Sequence, residues 1–197
     1  MSRPASIELA PNPFAAIDVV YAGIGSRTTP PSILRVMRQF ATEAARLGWT
    51  LRSGGAGGAD ETFEDAATDA GGSVECFHPW PGFRAHERAR QIRPTLERPT
   101  AAALAVAADA HPAWSRLSRG ARALHARNAH QILGADLHTP SDVIVCWTPD
   151  GSLDGSSRES GGTGQALRIA ARHGVPVLNL ARPEHRRMIE TILPVAA

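Results

Sequence analysis

Ser53-Gly54-Gly55-Ala56-Gly57-Gly58-Ala59-Asp60 places four glycines within eight residues, between a short apolar run and an amphipathic stretch. Glycine allows positive φ and lets the backbone come close to a ligand. A strand, a glycine loop and a helix in this order direct backbone N–H groups and a helix N-terminus at an anion. The stretch therefore predicts a phosphate-binding loop, and the simpler alternative is a tight turn between two elements.

A second glycine turn comes earlier in the chain. Residues 18–25 form an apolar run with little alternation, which is typical of a strand covered on both faces in a parallel sheet. The run ends in Gly23-Ile24-Gly25-Ser26-Arg27, after which Pro30 and Pro31, with a preceding threonine as cap, indicate the start of a helix. Parallel strands end at the same edge of a sheet, so both glycine turns are expected to face one ligand.

A third junction of this kind follows the buried strand predicted at residues 141–147. The glycine- and serine-rich residues 148–164 are predicted to be a functional or disordered loop, ending in Gly161-Gly162-Thr163-Gly164 before a helix that starts near Ala166. The alternation of strands and helices predicts an α/β fold, a Rossmann-like three-layer sandwich with a mostly parallel central sheet. We expect one domain over residues 18–197, preceded by an irregular leader at residues 1–17.

An insertion rich in arginine and alanine is expected at about residues 84–113. After it, a long helix is predicted from Trp114, with Asn128 in an otherwise apolar stripe beside Arg127. A buried asparagine needs hydrogen-bond partners, which a ligand or a backbone segment would supply. Residues 84–127 hold nine arginines and three acids, so this stretch also suits phosphate contacts, with a solvated surface as the alternative.

Composition excludes several classes of function. The chain has no lysine, which rules out a Walker-type P-loop and Schiff-base catalysis. No apolar run approaches the roughly 18 residues that a membrane helix needs, so no membrane partner is expected. Cys76 and Cys146 lie in apolar strands and are interpreted as core thiols of a cytoplasmic protein. The histidine spacing gives no metal motif, and neither a metal nor a cofactor is predicted.

Taken in order, Gly23–Arg27, Ser53–Asp60, Arg127-Asn128 and Gly161–Gly164 resemble the SLOG superfamily of Rossmann-like nucleotide-binding proteins. The chain is most similar to the branch of DNA-processing protein A, especially its small stand-alone members from phages and mobile elements. The resemblance covers residues 18–180 and implies a ligand pocket at the carboxyl edge of the sheet, in which Gly162, Thr163 and Gly164 would hold phosphate. The expected ligand-binding residues are Gly23, Gly25, Ser26, Arg27, Ser53, Gly54, Gly55, Gly57, Gly58, Asp60, Arg127, Asn128, Trp147, Gly161, Gly162, Thr163 and Gly164.

The resemblance also shows a departure. The related LOG-like phosphoribohydrolases carry a glutamate just after their glycine motif, where this chain has Gln165-Ala166-Leu167. We therefore expect a protein that senses or sequesters a nucleotide or nucleotide-derived molecule, with the base near Trp147, Trp80 or Phe83. The alternatives are a nucleotide N-glycosidase, with Glu61, Glu64 or Glu159 as the catalytic carboxylate, and a recombination mediator that binds single-stranded DNA. By analogy with the superfamily, a homodimer or larger homo-oligomer is expected.

Overall fold

The computed structural model describes residues 18–83 and 91–192. Strands in this part of the chain are β1 (Val20–Gly25), β2 (Thr50–Ser53), β3 (Ser73–Cys76), β4 (Val143–Trp147) and β5 (Val177–Asn179). Its helices are α1 (Pro31–Arg46), α2 (Ala59–Asp69), α3 (Ala101–Ala110), α4 (Arg119–Leu133), α5 (Gly161–Arg172) and α6 (Pro183–Ile192). The predicted leader and residues 84–90 of the predicted insertion lie outside the described residues.

All five strands form one parallel sheet in the order β3-β2-β1-β4-β5. β1 lies at the centre, where Val20 is opposite Thr50 of β2 and Gly25 is opposite Trp147 of β4. From β1 the chain adds β2 and then β3 on one side of the sheet. It then crosses to the other side of β1, where it adds β4 and β5. This reversal opens a crevice at the carboxyl ends of β1 and β4, where ligands bind in open α/β sheets.

Helices cover both faces of the sheet and form two separate cores. Successive strand residues point to opposite faces, so Tyr21 packs with α1, α2 and α6, whereas Ala22 packs with α3, α4 and α5. The Rossmann-like α/β fold predicted from the sequence is confirmed. Both cysteines are buried, as expected for core thiols. No helix in the described ranges is both long and apolar enough to cross a membrane.

Two predicted helix starts and one predicted helix cap are wrong. α5 begins at Gly161 and not near Ala166, so the Gly-Gly-Thr-Gly motif is its first turn and not a loop. α4 begins at Arg119 because the Ser118 side chain caps it by accepting from the Ala121 N–H at 3.2 Å; the predicted start at Trp114 is a short 3-10 turn. α1 follows Pro30 without the expected threonine cap, since the Thr29 hydroxyl donates to the Ser26 carbonyl instead.

Gly23 allows α2 to pack tightly on the central strand. A Cβ atom at this position would lie 2.7 Å from Cγ of Phe63 and 2.8 Å from Cδ1 of Leu51. Phe63 and Leu51 are both fully buried, so they have little room to move. The need for glycine at this position, in the middle of β1, therefore comes from the protein core.

Gly23→Ala is expected to lower the free energy of unfolding by about 1–3 kcal/mol, because the added methyl group overpacks the core. Gly120→Ala is the control, since no atom lies within 4 Å of the added methyl group in α4. Urea denaturation of both variants measures the difference. Equal stability of the two variants would contradict the packing role of Gly23.

Candidate functional site

A cleft of about 440 Å³ opens at the carboxyl ends of β1 and β4. Its wall is formed by the turn after β1, the loop before α2, one side of α4 and the segment that leads into α5. The predicted ligand-binding residues that line it are Gly25, Ser26, Arg27, Asp60, Arg127, Asn128, Gly161, Gly162 and Thr163. The structure thus brings three of the four sequence motifs, and Asp60 from the fourth, to one place.

The other predicted site residues do not line this cleft. They are Gly23, Ser53, Gly54, Gly55, Gly57, Gly58, Glu61, Glu64, Trp147 and Gly164. Half of them belong to the glycine loop at residues 53–58, which precedes α2. Their positions show what this loop does within the fold.

A buried ion pair joins the start of α2 to α4. Nη1 of Arg127 lies 2.9 Å from Oδ2 of Asp60, and the two side chains are 8% and 5% exposed. Burial raises the pKa of Asp60, and the guanidinium of Arg127 acts in the opposite direction. The guanidinium also fills the space over Gly54, where a Cβ atom would lie 1.2 Å from Nη1. Gly54 is therefore required by Arg127, a residue of the protein itself.

The N–H groups of the glycine loop are bonded to acidic side chains of α2. Gly55 donates to Oε1 of Glu64 at 2.8 Å, and Gly58 donates to Oε2 of Glu61 at 3.3 Å. Asp60 accepts from the Ala56 N–H at 3.4 Å. Three carboxylates thus occupy the place that the sequence assigned to phosphate. The expected phosphate-binding role of this loop does not fit its geometry, since a phosphate would meet negative charge there.

Two further glycines let the turn after β1 pack against the start of α2. A Cβ atom on Gly25 would lie 2.7 Å from Cβ of Ala59. Gly58 has φ of +83° and lies against the backbone of Arg27, where a Cβ atom would be 2.8 Å from the Cα atom. These contacts hold the two glycine turns side by side at the edge of the cleft.

The first turn of α5 differs from the loop before α2. Within residues 18–83 and 91–192, no side chain caps this turn, and no atom lies within 4 Å of the positions that Cβ atoms on Gly161 and Gly162 would take. Gly162 and Thr163 both line the cleft. A helix N-terminus carries partial positive charge and unpaired N–H groups, so this turn has the properties of an anion site.

Side chains of α4 form the floor of the cleft beside this turn. Asn128 donates to the Gly162 carbonyl and to Oε1 of Gln165, both at 3.3 Å, which fixes α4 against α5. The partners predicted for a buried asparagine are therefore supplied by α5. Arg127 and Gln131 line the cleft, and Nε of Arg127 and Nε2 of Gln131 are buried donors that have no hydrogen-bond partner among the described residues. Such donors suit a ligand rich in acceptor atoms.

The three aromatic residues expected to stack on a base lie elsewhere. Trp147 packs with α1, α2 and α6, on the face of the sheet opposite α4 and α5. Phe83 is buried beside His78, and Trp80 meets Phe83 edge to face at 5.2 Å. The apolar contacts in the cleft come from small and aliphatic side chains, namely Ile24, Ala121, Leu124, Pro149 and Ala166.

Sequence reasoning missed Gln131, His125 and Pro149 as lining residues, whereas Glu159, named from the sequence as a substitute carboxylate, does line the cleft. Gln131 could have been predicted from the sequence, because it lies three residues after Asn128 and seven after Leu124, on the same stripe of α4. His125 is adjacent to Leu124, and no sequence pattern indicated that it would line a ligand site. Among residues 18–83 and 91–192, no group of three or more His, Cys, Asp or Glu side chains is arranged to hold a metal ion.

No family model matches the chain, and no curated protein matches it. Solved structures do match. The Moco carrier protein of Chlamydomonas rheinhardtii superposes with a TM-score of 0.51 at 17% identity, over 89% of this chain and 85% of that protein. The molybdenum cofactor binding protein of Rippkaea orientalis gives a TM-score of 0.53 at 18% identity, over 90% and 85% of the two chains.

DNA processing protein A of Helicobacter pylori, which binds single-stranded DNA, gives a TM-score of 0.50 at 18% identity, over 84% of this chain and 66% of that protein. Both kinds of neighbour have SLOG-type folds, and the same fold is therefore confirmed for this chain. At these identities the likeness establishes the fold. The chemistry of the cleft follows from its own residues.

Gly54→Ala is expected to lower the free energy of unfolding by about 3–5 kcal/mol, because the methyl group displaces Arg127 and leaves Asp60 buried without its partner. Arg127→Ala should cost a similar amount for the same reason. Since both changes break one ion pair, the double variant should be little less stable than Arg127→Ala alone. Urea denaturation of the single and double variants measures the coupling.

Gly57→Ala is the control for this experiment. It lies in the same loop, and the nearest atom to its added methyl group is Oε2 of Glu61, at 3.8 Å. Its stability should stay close to that of the wild type. Additive losses in the double variant would show that Gly54 and Arg127 act independently.

Proposed function

We propose that this chain binds a nucleotide or a nucleotide-derived small molecule in the cleft, with a phosphate group at the N-terminus of α5. The observation that carries this proposal is the uncapped first turn of α5, which opens onto the cleft at Gly162. No atom of the described residues fills the space beside Gly162. Glycine at this position therefore leaves room for a ligand atom close to the backbone.

The comparison of the two glycine turns supports this assignment. In the loop before α2, Gly55 and Gly58 donate to Glu64 and Glu61. In α5, by contrast, no carboxylate of the described residues caps the first turn. A phosphate group therefore fits the first turn of α5, whereas the carboxylates at the loop before α2 would repel it. The exposed Arg27 lines the same cleft and adds a positive charge.

The rest of the cleft suits the remainder of a nucleotide. Its volume of about 440 Å³ falls within the range for small-molecule sites, roughly 300–1,000 Å³. Arg127 Nε and Gln131 Nε2 offer buried donors to the oxygen or nitrogen acceptors of a ribose or base. Leu124 and Ile24 offer apolar contacts to a ring. Two structural neighbours are named for the molybdenum cofactor. Because they share the fold of this chain, they offer an analogy for a small-molecule ligand.

Binding without turnover agrees with the residues that follow the glycine motif. Gln165 stands near the position where the phosphoribohydrolase branch has its glutamate, and its Oε1 accepts from Asn128. Sensing or sequestering a nucleotide signal is accordingly the role we infer. Glu61 and Glu64, the candidate catalytic residues from the sequence, are bonded to the loop before α2 and do not line the cleft.

A hydrolase is the second candidate, because Asp60 and Glu159 both line the cleft. Asp60 has a raised pKa and is paired with Arg127, and Glu159 is exposed next to the first turn of α5. Cleavage of an N-glycosidic bond needs a carboxyl group of this kind near the bond. Release of a free base from a bound nucleotide would favour this alternative over sequestration.

Gly162→Asp is expected to weaken the binding of a mononucleotide at least tenfold, or about 1.4 kcal/mol, because the carboxylate occupies the proposed phosphate position. An acidic side chain in the first turn of a helix favours the helix, so the variant should remain folded. Isothermal titration calorimetry with mononucleotides, cyclic nucleotides and ADP-ribose identifies the ligand and measures the loss.

Gly120→Asp is the matched control. Gly120 is the second residue of α4, as Gly162 is of α5, and neither has an atom near its Cβ position. Gly120 does not line the cleft, so this variant should bind as the wild type does. If Gly162→Asp binds as tightly as Gly120→Asp, phosphate does not lie at α5.

A further inference from the structure

A second groove, of about 900 Å³, lies between α3, the start of α4 and the segment after β3. It shares no lining residue with the cleft at the carboxyl ends of β1 and β4. The proposed nucleotide site makes no use of it. The α3–α4 groove, as we call it, therefore needs its own explanation.

Its floor and walls are apolar and partly exposed. Leu104 and Trp80, which are 38% and 40% exposed, both line the groove. They are two of the three large hydrophobic side chains that are exposed among the described residues, and the third is Met188 on α6. Between them, Ala108 and Ala123 leave a shallow channel between the helices. Apolar surface gathered at one place in this way is typical of an interaction site.

The charged residues that line this groove are all positive. Arg98, Arg119 and Arg122 line it, and no acidic side chain of the described residues does. Arg98 and Arg119 are exposed and form no ion pair within residues 18–83 and 91–192. Arg122 is held in place by bonds from its guanidinium to the carbonyls of Trp114 and Ser115. A partner that complements this groove carries negative charge beside apolar side chains.

The aromatic rings favour a peptide over a nucleic acid strand. The guanidinium of Arg122 lies over the ring of Trp114, 5.7 Å from its centroid, so one face of this ring is covered. Trp114 also packs against the core of α3, α4 and α5. Trp80 is in perpendicular contact with Phe83. Bases of a single strand need free ring faces for stacking. The leucine, alanine and proline side chains that line the groove instead suit contacts with the apolar side chains of a peptide.

From these observations we infer that the α3–α4 groove docks an acidic peptide segment of a partner protein. An apolar side chain of the segment inserts between α3 and α4, beside Leu104. Its carboxylates pair with Arg98 and Arg119 at the rim. The apolar anchor supplies most of the affinity, and the arginines set the orientation and the rate of association.

Selection from a phage-displayed library of random 16-residue peptides tests this inference. The full chain serves as the target, and its double variant Leu104→Glu/Arg119→Glu serves for counter-selection. We expect enriched peptides in which Asp or Glu flanks a large apolar residue. A fluorescent copy of such a peptide should bind at least tenfold more weakly to Leu104→Glu and to Arg119→Glu, and more weakly as the salt concentration rises.

Met188→Glu and Arg187→Glu are the matched controls. Met188 is exposed on α6 as Leu104 is on α3, and Arg187 is likewise exposed on α6. Both controls should bind the peptide as the wild type does, and thermal melting checks that all variants are folded.

Four results would each overturn the inference. The first is no enrichment over counter-selection, and the second is enrichment of peptides without acidic residues. The third is binding of a 16-nucleotide thymidine strand that is lost in both groove variants, which would make the occupant a nucleic acid. The fourth is self-association of the wild type that Leu104→Glu abolishes, which would make it a second copy of the chain.

Discussion

The buried ion pair between Arg127 and Asp60 holds the candidate site together. It joins α4 to the start of α2 beneath the glycine loop, and the guanidinium needs the space that Gly54 leaves. The next residue on α4, Asn128, joins the same helix to the first turn of α5. Two adjacent side chains thus fix the floor of the cleft to both of its walls. A buried charge that loses its partner is costly, so this arrangement resists being pulled apart.

The glycines of this chain serve two different purposes. Four glycines are needed because other atoms of the protein lie within 3 Å of the position that a Cβ atom would take. They are Gly23, Gly25, Gly54 and Gly58. Gly162 has no such neighbour and faces the cleft. The glycine-rich loop that dominates the sequence packs closely within the protein, and its Gly55, Ala56 and Gly58 N–H groups are bonded to carboxylates of α2. The proposed phosphate position lies instead at the first turn of α5.

The fold was predictable because its signals are local. Apolar runs without alternation, followed by glycine turns and amphipathic helices, indicate a parallel sheet wherever they occur, and the SLOG-type fold and Rossmann-like architecture follow. The site was only partly predictable. Whether Glu64 meets a ligand or the Gly55 N–H depends on how α2 is positioned against the loop, which spacing does not show. Trp147 lies outside the cleft because a shift of one residue along a strand changes the face to which a side chain points.

Binding of an intact nucleotide can be measured by incubating the 197-residue chain with a panel of nucleotides, ADP-ribose derivatives and molybdenum cofactor. The bound small molecules are then released by heat and identified by mass spectrometry. We expect a phosphate-bearing nucleotide or nucleotide derivative to be recovered intact from the bound fraction, in an amount close to that of the protein. Recovery of no phosphate-bearing ligand would contradict binding in the cleft. Recovery of a free base with ribose phosphate would contradict sequestration and make the protein a hydrolase.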